Sequence, residues 1–133
     1  MKKLIAAVMA VLMAALLCSC GKTAGAKINL GSSEIYSDAE IKAAAAAVKA
    51  KFATFDGCTL HSLTYAGDEE SSDCLDYVRE SNENYSKCIV FESSFRSPEN
   101  GGGTWEKNSE YTWNWYVAKS PVGIWEVADY GYG

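Results

Sequence analysis

A chain of 133 residues, 48% of them hydrophobic, has room for one domain of about 100–150 residues. The hydrophobic residues are unevenly placed: Met1–Ser19 holds 16 of them together with Lys2 and Lys3, so from Cys20 onward 10 basic residues face 17 acidic ones. That stretch has a formal charge of −7, and the whole chain has two Arg, which excludes the basic stripe that a nucleic-acid partner requires.

Lys2-Lys3 forms a short positive start, and Leu4 to Leu17 is an unbroken apolar run of 14. A membrane span needs about 20 apolar residues, so this run has the size of a signal-peptide core rather than of a permanent helix. Leu17-Cys18-Ser19-Cys20-Gly21 resembles the lipobox of bacterial lipoproteins, with Leu at −3, a small residue at −1 and Cys at +1. The resemblance implies that residues 1–19 are removed and that Cys20 is lipidated and becomes the mature N-terminus. Cys18 is the weaker acceptor, because Leu17 would then occupy −1. The expected location is extracytoplasmic, in the cell envelope, with the membrane as partner through the N-terminal lipid. Residues 20–33 are rich in Gly, Ala, Ser and Lys without periodicity, which predicts a flexible tether.

Residues 34–133 are expected to form the folded part. Ser37 and Glu40 have the spacing of a capping box, with Asp38 and Glu40 at the positive end of the helix dipole. The helix should run to about Phe55, burying Ile41, Val48, Phe52 and Phe55 with Ala44 and Ala45 between them, and should stop at Asp56-Gly57. Thr59–Ala66 reads as a strand and Gly67-Asp68 as a turn. Ser72 caps a short second helix over about Asp73–Ser81, with Cys74, Leu75 and Val78 as its apolar side. Cys88–Ser97 is a second strand, followed by a loop through Gly101-Gly102-Gly103 to Ser109. Tyr111, Trp113, Trp115 and Val117 alternate with Thr112, Asn114, Tyr116 and Ala118, a third strand. Lys119–Gly123 is a hairpin connection, and Ile124–Tyr130 returns. The expected class is α+β: a curved antiparallel sheet of about four strands packed on one long N-terminal helix, with a short second helix.

The capped helix, Asp56-Gly57-Cys58-Thr59-Leu60, the strand ending in Phe95, the Gly-rich loop, Tyr111-Thr112-Trp113-Asn114-Trp115 and Trp125 to Tyr132 together resemble small uncharacterised lipoproteins of Firmicutes. Those are similar to the cystatin-like, NTF2-like α+β roll. The resemblance, over about residues 34–132, implies a pocket-forming fold and no particular chemistry, since such rolls host enzymes and non-enzymes.

Three Cys follow Cys20. Cys74 and Cys88 are the more plausible disulfide pair, but an odd count and unknown spacing favour small buried hydrophobes. Cys58, His61, Cys74 and Cys88 number enough for zinc, yet a three-residue offset beside a strand sends Cys58 and His61 to opposite faces. The Asp68-Glu69-Glu70 run with Asp73 and Asp76 lacks the spacing of a calcium loop. No metal or cofactor is expected. His61 is the lone imidazole and no nucleophile elbow is present, so the chain is read as a non-enzyme. Glu92, Glu126 and Asp129 are the carboxylates that a pocket enzyme of the NTF2-like kind would have to bury.

All four Trp and four of the eight Tyr fall in the last 30 residues. A strand aromatic on both faces cannot be wholly core in a two-layer roll, which points to a ligand-binding patch among Trp105, Trp113, Trp115 and Tyr116. The expected function is a tethered, non-catalytic module binding a protein or small molecule. The alternatives are a pocket enzyme and an inhibitor or immunity-type lipoprotein.

Overall fold

The computed structural model describes residues 21–132. The signal-peptide reading and Cys20 lie outside the described residues. In chain order the elements are β1 (Lys27–Asn29), α1 (Asp38–Phe52), β2 (Thr59–Tyr65), α2 (Asp68–Arg79), β3 (Lys87–Arg96), β4 (Glu110–Lys119) and β5 (Trp125–Gly131). The class is α+β, and the strands form one open sheet in the order β1-β2-β3-β4-β5.

Two features correct the expected architecture. The sheet has five strands and is mixed, because β1 pairs parallel with β2 while the other pairings are antiparallel. The added strand comes from the segment read as a flexible tether: Ile28 is set against Leu63, and Lys22 bridges Thr59. A run of small residues without periodicity still carries backbone donors and acceptors, and the open edge of β2 satisfies them.

The helices are also less unequal than expected, with 15 residues in α1 and 12 in α2. The start of α1 is as read. Ser37 Oγ accepts from the Glu40 N–H, and the Glu40 carboxylate accepts from the Ser37 N–H. It ends three residues early, at Phe52, and Thr54 donates its hydroxyl to the Lys51 carbonyl in the turn that follows. The second helix begins at Asp68, not Asp73, with Gly67 at φ +109 as its N-cap and no side-chain cap. Asp68, Glu69 and Glu70 therefore form its first turn, where the dipole favours them. The Asp68 carboxylate also accepts from Ser33 Oγ (2.5 Å), the Glu34 N–H (2.9 Å) and Tyr65 Oη (2.6 Å), which ties the approach to α1 onto the start of α2.

The two helices cover opposite faces of the sheet, giving three layers. Against α1 the buried set is Ile41, Val48 and Phe52 from the helix with Leu63, Phe91, Phe95, Trp115 and Val117 from the strands. Under α2 lies a smaller cluster of Cys74, Val78, Tyr85, Cys88, Val90 and Ala118. Cys74 and Cys88 are joined in a disulfide with Cα atoms 5.9 Å apart, which corrects the preference for free thiols. Helix α2 packs over β3 and β4, with Cys74 set against Cys88.

Candidate functional site

Strand β4 presents Tyr111, Trp113, Trp115 and Val117 to the α1 side and Tyr116 and Ala118 to the α2 side. Because α1 ends at Phe52, the chain turns and places the Phe55 ring among the strand aromatics. It lies 5.8 Å from Trp105, 6.0 Å from Trp113, 5.8 Å from Trp115 and 5.6 Å from Tyr130. Trp105, carried by the loop after β3, packs edge-on to Phe95 at 5.6 Å and to Tyr111 at 5.2 Å. Phe55, Trp105, Tyr111, Trp113, Tyr130 and Tyr132 together wall an open cleft of about 420 Å³, with Thr104 and Glu106 at its polar margin. Tyr132 leaves 74% of its surface in water and Tyr130 leaves 38%. Trp113, in the cleft wall, carries a buried indole N–H with no acceptor among the described residues. An unpaired donor of that kind costs about 1–3 kcal/mol.

The four aromatic candidates divide between different places. Trp105 and Trp113 line this cleft and are half-buried. Trp115 is fully buried, donating its indole N–H to Ser93 Oγ at 2.7 Å and packing against the Phe55 and Tyr130 rings, so it belongs to the core and not to a binding surface. Tyr116 lies on the other face with its ring 5.1 Å from Tyr77, where α2 covers it. The two-layer premise behind its selection fails because a second helix supplies a third layer.

The groups considered for chemistry stay apart. His61 is the bulged residue of β2 and lies exposed, its Nδ1 2.5 Å from the Glu110 carboxylate, which is exposed as well. Glu92, Glu126 and Asp129 are all exposed, and Asp129 accepts from the Tyr77 hydroxyl. Cys58 is buried and unpaired among the described residues, and burial, with the Asp56 charge adding to it, pushes its thiol up to about 11. Such a thiol is inert at neutral pH. With Cys74 and Cys88 bonded to each other, the four conceivable zinc ligands do not converge.

Sequence reasoning missed Phe55, Tyr111, Tyr130 and Tyr132 as cleft walls. Phe55 was assigned to the helix stripe, and only its release after Phe52 brings it to the loop. The crowding of aromatic residues in the last 30 positions was the one signal available for the tyrosines. No protein family, curated relative or solved structure matches the chain.

Proposed function

We propose that this chain is a lipid-anchored protein of the cell envelope whose folded part is a non-catalytic module, taking a ligand or protein partner at the aromatic cleft. The observation that carries the reading is the cleft itself: six aromatic side chains around one open depression, two of them well exposed. Apolar surface left in water forfeits about 25 cal/mol per Å², and concave aromatic patches with a few polar groups are characteristic of binding sites. The lipobox-like Leu17-Cys18-Ser19-Cys20 supports the anchor. The Cys74–Cys88 disulfide fits an oxidising compartment outside the cytoplasm. The exposed position of His61 and of the three carboxylates favours binding over a buried acid–base site.

The test is capture from intact envelopes by cross-linking and mass spectrometry, run with wild type, Trp105→Ala, Tyr132→Ala and His61→Ala, each checked for folding by circular dichroism. The expected result is loss of the captured species in both cleft variants and its retention in His61→Ala. Loss in the histidine variant alone would overturn the cleft and favour a pocket enzyme.

A further inference from the structure

The residues that follow Cys20 are built into the domain. The Gly21 N–H donates to the Ala53 carbonyl (3.0 Å), and the Lys22 N–H donates to the Cys58 carbonyl (2.8 Å). The Lys22 carbonyl in turn accepts from the Leu60 N–H (2.8 Å). At Gly21 a Cβ would collide with the carbonyl oxygens of Phe52 and Phe55, so only glycine allows the backbone to lie this close to the end of α1. A free tether of a dozen residues would span about 20 Å and let the domain tumble. Here that slack is absent. Cys20 is one peptide bond before Gly21, with consecutive Cα atoms about 3.8 Å apart.

A lipid on Cys20 would therefore begin within one residue of Gly21, whose backbone lies against the Phe52 and Phe55 carbonyls. This inference rests on the lipid-anchor reading above. Phe55 lines the aromatic cleft and also a neighbouring depression of about 530 Å³ between Thr54–Gly57 and the loop of Pro98, Gly101–Gly103 and Trp105. Register places the same end of the sheet here, since Thr59 pairs Arg96 and Arg96 pairs Glu110. The opposite end, where Lys87 pairs Lys119, carries the hairpin with Val122. Ten residues of β3 separate the two ends by about 30 Å.

We propose that the domain rests on the bilayer at the Phe55 end, with the Gly101–Trp105 loop set against the lipid headgroups. Indole and phenol rings suit that layer, since each has an apolar body and a polar edge. Lys22, Lys51, Arg96 and Lys107 are offset at that end by Asp56, Glu99, Glu106 and Glu110, so the contact does not depend on anionic lipid. A ligand of the cleft is then met at the membrane surface.

Full-length protein, processed in cells and purified with its lipid, provides the test. Thr104→Cys and Val122→Cys, both at exposed positions, each receive a thiol-reactive fluorophore, while the buried Cys58 stays unlabelled. The proteins are reconstituted into phosphatidylethanolamine–phosphatidylglycerol vesicles containing a headgroup spin-labelled lipid, and a fatty-acid probe reports acylation in parallel. The expected result is strong quenching at position 104 and none at 122, unchanged when phosphatidylcholine replaces phosphatidylglycerol. Acylated, vesicle-bound protein with equal quenching at both positions overturns the docking and leaves the anchor standing. Absence of acylation, or its persistence in Cys20→Ser, overturns the anchor at Cys20 and the docking with it.

Discussion

The two faces of the sheet are held by different means. The α1 face buries a continuous set of large side chains, including Phe52, Phe91, Phe95 and Trp115, each wholly inaccessible to water. Its helix begins with a reciprocal capping box. The α2 face buries a smaller cluster around Cys74, Val78 and Cys88, with Tyr85 its one large ring, and its helix begins on a glycine with no side-chain cap. Where burial is extensive, local caps and packing suffice to dock the helix. Where little apolar area is available, a covalent link does so, by restricting the unfolded chain.

The largest break in this contrast should come from Phe52→Ala. Removing a fully buried ring leaves a cavity and costs about 3–5 kcal/mol in chemical denaturation, a large part of the stability of an ordinary domain. A loss under about 1 kcal/mol would place Phe52 outside the core. On the other face, Cys74→Ala with Cys88→Ala should cost about 3 kcal/mol, the entropy of closing a loop of this length. Hydrogen exchange should localise the loosening to α2, whereas a uniform loss across α1 would mean that the two faces are one cooperative unit.

Smaller changes sharpen the comparison. Ser37→Ala removes the cap of α1 and should cost about 1 kcal/mol, read from the denaturation midpoint at unchanged slope. Ser72→Ala should be nearly silent, because Ser72 is exposed inside α2 and caps nothing.

The smallest effect should follow pH. Lys87 Nζ donates to the Glu40 carboxylate at 2.8 Å, and this bond above all holds the Glu40 carboxyl below its ordinary value of 4.5. A folded value below the unfolded one contributes stability above the unfolded value, and that contribution is lost as pH falls through the folded value. Glu40→Gln should therefore lower stability slightly at neutral pH, where the charged carboxylate contributes, and change little in acid, where that contribution is already lost. The acid limb of the stability profile below about pH 4.5 should flatten accordingly. An unaltered acid limb would remove Glu40 from the ties between α1 and β3.

Much of the fold was readable residue by residue. The capping box at Ser37, the period-two alternation of Tyr111–Ala118 and the apolar stripe of Ile41, Val48 and Phe52 are local signals, and local signals survive without tertiary context. The candidate site was readable in part. Trp105 and Trp113 were legible as aromatic surplus, whereas Trp115 and Tyr116 were indistinguishable from them until packing placed one in the core and the other under α2.

What the sequence by itself determined is the class of the fold, the start of α1 and the four antiparallel strands, and it alone carries the lipobox-like motif on which the proposed anchor rests. Those depend on residue type at short spacing, where propensity and periodicity act. Tertiary structure alone decided the fate of Gly21–Ser33, the start of α2, the Cys74–Cys88 pairing and the walls of the cleft. Lys27–Asn29 becomes a strand only because β2 offers it an open edge. Cys74 meets Cys88 only because α2 folds back over β3. Phe55 meets Trp105 only because α1 ends three residues before its apolar stripe does. Each of these contacts joins groups far apart along the chain or set by where an element stops. Such proximity is a property of packing, with no signature in the order of neighbouring residues.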